Sequence, residues 1–259
     1  MHIIICVLLS LHSCLSGQPP KVSAPTFQFG KPQEQYRYIK TNTDSIIHYE
    51  GFDVLFDEKH LIPFWVSYTL TSDEVLSTPA PIKGNFQQDN KNRVKQADNT
   101  DYLRTGWSRG HMAPAADFKW SVSAYEGTFV YTNCCPQDQS LNNGSWNVLE
   151  NKVRSLAKEY NEILVVTGPI IGDNINGSIG PNQVTIPDQF FKALLIEKGS
   201  EVCCVGFIMN NTPQKQTLLE SFVSINRLES ITGFDFFPFL SDDVEDIVEG
   251  IVVRTIWHF

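Results

Sequence analysis

Arg109 and His111 stand two positions apart, with Gly110 between them. In an extended strand that spacing turns both side chains to one face, and glycine lets a neighbouring backbone approach closely. A fixed cation and a titratable base facing one way suit chemistry on a phosphate. Farther along come Asn133, at the end of a strand-like run, and then Asn142, Glu150 and Arg154. With helix begun by Asn142, offsets of eight and four place these last three on successive turns of roughly one face. An amide, a carboxylate and a guanidinium then converge opposite His111.

The surrounding pattern supplies elements to carry these groups. Phe52, Val54 and Phe56 alternate with Asp53 and Asp57, and Phe64 to Leu70 is rich in aromatic and β-branched residues, so a hairpin is expected there. Lys83 to Asn99 is polar almost throughout and reads as an exposed, mobile loop. Trp146, Leu149, Val153, Leu156, Ala157 and Tyr160 recur at helical steps, ahead of a buried strand at Ile163 to Thr167. Further strands are expected around Val184 to Ile186, Phe190 to Ile196 and Cys203 to Met209. Ser224 and Gly233 bound a short helix lined by Ile225, Leu228 and Ile231. No repeat or linker interrupts Ile46 to Phe259, so residues 46–259 form one α+β domain with a mixed, mainly antiparallel sheet.

Each polar residue alone has a structural explanation. A histidine beside a strand is usually structural, Glu150 and Arg154 suit a solvated i,i+4 pair, and Asn142 suits a helix cap. Their joint order is more specific. Arg109-Gly110-His111-Met112-Ala113-Pro114 is followed by Asn133-Cys134-Cys135-Pro136-Gln137. Then come Leu141-Asn142-Asn143-Gly144-Ser145-Trp146 with Leu149, Glu150 and Arg154, and Val165-Val166-Thr167-Gly168-Pro169. This series resembles the DNA/RNA non-specific endonuclease family, the group that contains endonuclease G. The resemblance runs from about Ile46 to Phe237, including Val184-Thr185-Ile186-Pro187 and Thr232-Gly233-Phe234.

The resemblance implies a ββα-metal active site, in which two strands and the following helix hold one Mg2+, with Mn2+ among the cations able to replace it. His111 matches the general base, Asn142 the direct metal ligand and Glu150 the residue that orients metal-bound water. Asn133 matches a polar residue of the site, and Arg109 and Arg154 match cations that contact the phosphate or shape the site. Water activated by His111 would attack phosphorus in line, cleaving DNA and RNA to products with 5'-phosphates. A further family arginine has no secure match; Lys83 is nearest, and an ammonium cannot fork onto phosphate as a guanidinium does. Ser108 stands where many members have Asp, which alters the bracing of the site and removes neither base nor ligand. Family members are often dimers, so a homodimer is expected. Two rivals are an exported or lipid-anchored nucleic-acid-binding protein on an inactive nuclease fold, and a zinc hydrolase using His111 with Cys134, Cys135, Cys203 or Cys204. Adjacent cysteines lack chelate spacing, so buried thiols are expected, with a disulfide between the pairs open in an oxidising compartment.

Residues 1–17 read as a signal peptide or lipoprotein leader, because Ile3 to Leu15 has the length of a signal-peptide apolar core and is too short to span a membrane. Cleavage falls after Gly17 or before Cys14, the latter giving membrane attachment through a lipidated Cys14. Residues 18–45 read as a flexible tether, and the protein as secreted, periplasmic or held at the cell envelope. The formal net charge of -9 argues against a nucleic-acid partner at face value. Its distribution qualifies that: Lys83 to Lys119 holds seven Lys/Arg against four Asp, whereas Glu229 to Phe259 holds seven acids and only Arg254.

Overall fold

The computed structural model describes residues 46–77, 83–173, 176–198 and 201–250. The expected leader (1–17) and the whole of the expected tether (18–45) lie outside the described residues. Seven strands form one antiparallel sheet in the order β1-β2-β3-β6-β9-β10-β11. They are β1 (Ile46–Tyr49), β2 (Phe52–Asp57), β3 (Ile62–Thr71), β6 (Glu162–Ile170), β9 (Gln189–Lys198), β10 (Glu201–Asn210) and β11 (Phe222–Val223). Two smaller sheets pair β4 (Ser108–His111) with β5 (Cys134–Gln137) and β7 (Ser178–Ile179) with β8 (Val184–Thr185).

The central strands β6 and β9 are near-continuous apolar runs because both faces of the sheet are covered. Val165 and Leu194 enter the core on one face, whereas Leu164, Val166, Ala193 and Leu195 enter the other. Helix α1 (Asn147–Tyr160) covers the first face, burying Leu149, Val153, Leu156 and Ala157. Helix α2 (Ile225–Thr232) sits on the second, with Ile225 and Leu228 in that core. Ser224 accepts from the Arg227 N–H, and Gly233 takes the left-handed conformation (φ 72°) at the other end, as the sequence signals indicate. Helix α3 (Asp242–Val248) follows and contacts β10.

Two expectations need correction. Strand β2 is buried at all six positions, not alternately. Asp53 is matched by His48 Nδ1 at 2.7 Å, and Asp57 closes the turn by accepting from the Lys59 and His60 N–H groups. The polar loop from Lys83 is pinned to the domain instead of standing free. Gln87 exchanges backbone hydrogen bonds with Phe129 and Tyr131. Asp89 and Gln96 are buried, with the Gln96 side chain bonded to both backbone groups of Asp89. Polar side chains here serve the loop's own backbone, which composition alone does not separate from solvation.

The β4–β5 ribbon depends on Gly110, which lies opposite Cys135. A methyl group added there would lie 2.2 Å from Gln137 Oε1 and 2.6 Å from its Cβ, closer than real Cβ contacts allow. Gly110→Ala is therefore expected to lower stability by about 1–3 kcal/mol, as overpacking does. Urea denaturation of the variant against wild type measures this; an unchanged midpoint would show that Gln137 gives way freely.

Candidate active site

Antiparallel register sets Arg109 opposite Pro136 and His111 opposite Cys134, so Arg109 and His111 share one face of the ribbon. The His111 ring lies between Phe86, at 4.7 Å, and Phe129, at 4.9 Å. Its Nε2 is buried without a protein partner among the described residues. Burial among aromatic rings pushes its pKa down to about 4, so the imidazole is neutral at physiological pH. The Arg109 guanidinium lies over Tyr102, 5.2 Å from the ring centroid, and donates to Asn99 Oδ1 at 2.5 Å.

Asn133 is fully buried. Its Oδ1 accepts from the Ala113 N–H at 2.8 Å, and its Nδ2 donates to the carbonyls of Ala113 and Thr128. The Met112 N–H bonds the Asn133 carbonyl as well. Every polar atom of the side chain is thus engaged by backbone just beyond His111. Asn133 braces the segment that carries His111.

Asn142 is not on one continuous helix with Glu150, contrary to the spacing argument. Asp138 caps a short turn, accepting from the Ser140 and Leu141 N–H groups, and a wide π turn spans Asn142–Trp146. Within it Gly144 leaves helical geometry (φ −107°, ψ −110°), and α1 begins afterwards. Such insertions in a helix are frequent at functional sites. Asn142 is partly exposed and its side-chain amide makes no hydrogen bond with the described residues. Ser145 is buried and bonded to the Gln216 carbonyl, which fixes the turn from its other side.

Glu150 and Arg154 enter a buried charged cluster. Arg154 Nη1 donates to Asp117 Oδ1 at 2.5 Å and Nη2 donates to Asn151 Oδ1 at 2.9 Å. Asp117 is fully buried and also accepts from the Tyr68 hydroxyl at 2.9 Å. Lys192 is wholly buried on the α1 face of β9, its Nζ 4.8 Å from the centroid of the Trp146 ring and without a hydrogen-bond partner among the described residues. Burial pushes the Glu150 carboxyl up; the Lys192 and Arg154 charges oppose that rise and Asp117 reinforces it. Burial likewise pushes the Lys192 ammonium down, against the pull of Glu150 and Asp117.

Sequence reasoning missed Asp117, Lys192 and Phe86 as parts of the site. A lysine inside the apolar run Phe190-Phe191-Lys192-Ala193-Leu194 was the available signal, since lysine is rarely buried without charged company. Lys83 is exposed. Cys134, Cys135 and Cys204 are buried free thiols, the Cys134 pKa pushed up to about 12 by burial. Among the described residues no three His, Cys, Asp or Glu side chains gather as a metal site.

Residues 30–243 match the family described as DNA/RNA non-specific endonuclease. The chain belongs to that family. The mitochondrial nuclease EXOG of Danio rerio is 35% identical over 207 residues, covering 74% of this chain and 60% of that protein. Mitochondrial endonuclease G of Bos taurus is 30% identical over 236 residues, covering 86% of this chain and 78% of that protein. The solved structure of the EndoG/EndoGI complex, which addresses EndoG inhibition, contains a similar fold at a TM-score of 0.71 and 28% identity, over 76% of this chain and 87% of that one. This chain spans about three fifths of the length of the EXOG proteins of Danio rerio and Xenopus laevis. Within the family's fold, the β4–β5 ribbon, the π turn and α1 follow one another as strand, strand and helix.

The ion pair makes Arg154 a structural cation first. Removing one partner of a buried pair costs about 3–5 kcal/mol, because the other charge is left uncompensated. Arg154→Met should show a loss of that order in chemical denaturation, and adding Asp117→Asn should recover much of it. Wild-type stability in Arg154→Met, with only activity reduced, would instead place the guanidinium on substrate.

Proposed function

We propose that this protein is a divalent-metal-dependent endonuclease that hydrolyses phosphodiester bonds of DNA and RNA, with Mg2+ as the working metal. The observation that carries the reading is the neutral His111 Nε2, unpartnered and on the same ribbon face as the Arg109 guanidinium. A proton acceptor and a phosphate-binding cation are thereby aimed one way from a braced element. Family membership and the relatives' names as nucleases point to the same chemistry.

The residues fit a hard cation. Asn142 offers an amide oxygen without a hydrogen bond among the described residues, on a partly exposed turn, and Mg2+ takes few protein oxygens alongside water and phosphate. When bound there, the metal supplies Lewis-acid stabilisation of the charge that builds on the phosphate and leaving oxygens. His111 Nε2 takes the proton of the attacking water, and the phosphate anion beside the ring raises the basicity that burial has lowered. Arg109 binds the phosphate. Glu150, held in the network of Asp117, Arg154 and Lys192, accepts hydrogen bonds from water and fixes its orientation. In-line attack that expels the 3' oxygen leaves a 5'-phosphate. Because the proton comes from water and not from a 2'-hydroxyl, RNA and DNA are both substrates.

Export through the apolar leader is part of this proposal. The relatives named above are mitochondrial by name, so import into mitochondria is the alternative. Mass analysis of the mature amino terminus, with cell fractionation, decides between cleavage after Gly17, lipidation of Cys14 and import into mitochondria.

His111→Ala is expected to abolish plasmid cleavage while circular dichroism and denaturation show a retained fold. EDTA should stop the wild-type enzyme and Mg2+ restore it. Full-rate cleavage by the variant or in EDTA would overturn the corresponding assignment, and binding without cleavage by wild type would favour the inactive-fold alternative. The pH dependence of stability has a definite sign. The folded pKa of His111, about 4, lies below its ordinary value near 6.5, so its contribution is complete above pH 6.5 and is lost as pH falls towards 4. Relative to His111→Gln, metal-free wild type should therefore lose melting temperature across that interval; parallel curves would contradict it.

A further inference from the structure

The loop from Phe86 to Asn99 is tied to the site at both ends. Phe86 packs on the His111 ring at 4.7 Å, and Asn99 accepts from Arg109 at 2.5 Å. Between these anchors Asp89 folds the chain into a tight turn. Its Oδ1 accepts from the Lys91 and Asn92 N–H groups, and its Oδ2 accepts from Asn92 Nδ2 at 2.6 Å. Arg93 adopts a left-handed conformation (φ 53°) at the apex, a strained position for a residue with a side chain. Gln96 then closes the turn against both backbone groups of Asp89.

This scaffold sorts the charges. The side chains of Lys91, Arg93 and Lys95 are all exposed, on alternate residues of the turn. The acids of the surrounding segment point inward: Asp89, Asp101 and Asp117 are all buried, held by hydrogen bonds from neighbouring groups. Asp98 is engaged as a helix cap. Glu58 is the acid that touches the turn from outside, accepting from the Lys95 N–H at 2.8 Å. A surface that is positive at this point thus stands on a protein of net charge -9.

We infer that the Lys91-Arg93-Lys95 turn is an accessory phosphate-binding surface, which grips the backbone of a DNA duplex beyond the scissile phosphate. The inference rests on the nuclease reading above. Three exposed cations on alternate residues of a short, braced turn can meet successive phosphates of a nucleic-acid strand. A turn whose two ends touch His111 and Arg109 holds that strand in register with the site. Contacts of this kind are sequence-independent and strongly salt-dependent, because each neutralised phosphate releases counterions.

The test compares wild type with the triple variant Lys91→Gln, Arg93→Gln, Lys95→Gln. Binding of a fluorescent 24-base-pair duplex is followed by anisotropy in EDTA across a salt series, and hydrolysis of a small p-nitrophenyl phosphodiester of thymidine is followed with Mg2+. Three phosphate contacts correspond to a change in the slope of log K against log salt of about 2.7. The variant should lose most of that slope and bind the duplex at least tenfold more weakly near 100 mM salt, while cleaving the small substrate at the wild-type rate. An unchanged slope in a folded variant would overturn the proposal. So would a loss of duplex binding matched by an equal loss on the small substrate, which would indicate a disturbed His111. Failure of wild type to cleave either substrate would instead sink the nuclease reading.

Discussion

Four ionisable groups share the space between α1 and the central strands, and the domain must keep them mutually neutral. Asp117 and Glu150 bring two carboxylates, and Arg154 and Lys192 bring two cations. Isolated charges in such a place are strongly disfavoured, whereas a balanced set is tolerated where hydrogen bonds complete it. The direct Asp117–Arg154 bond and the Tyr68 hydroxyl do part of that work. Because Asp117 follows the His111 segment, Arg154 and Glu150 lie on α1 and Lys192 on β9, the same balance holds three separate parts of the chain in one arrangement. Catalytic geometry and stability are thus not independent here.

Different devices set the two halves of the site. His111 is fixed by shape: Phe86 and Phe129 confine the ring, and Asn133 holds the backbone beyond it. The carboxylate is fixed by electrostatics, through Lys192 and the Asp117–Arg154 pair. Asn142 lies between these regimes on a turn shaped by Asp138 on one side and Ser145 on the other. The π turn interrupts the helix at Asn142 and leaves its side-chain amide without a hydrogen bond among the described residues.

Much of this was legible in the sequence where the signal was local. The caps of α2, the apolar stripe of α1 and the runs that became β6 and β9 are set by neighbouring residues and survive intact. The spacing of Arg109 and His111 correctly put both on one strand face. What failed was periodicity carried across an irregularity: the offset from Asn142 to Glu150 assumed an unbroken helix. Polarity misled in a second way, since Asp89 and Gln96 look like solvated loop residues and are buried by bonding backbone. The roles of Lys192 and Asp117 arise only when distant strands and α1 meet.

The buried cysteines have a consequence for how the domain meets oxidants and other thiols. Disulfide exchange and oxidation proceed through the thiolate, and burial raises the pKa values of Cys134, Cys135 and Cys204 far enough that thiolate is scarce at ordinary pH. Cys134 Sγ donates to the Tyr102 hydroxyl and Cys204 Sγ to the Val248 carbonyl, so these sulfurs are held as thiols and exchange slowly. The packing around these three positions therefore persists when the redox surroundings of the domain change.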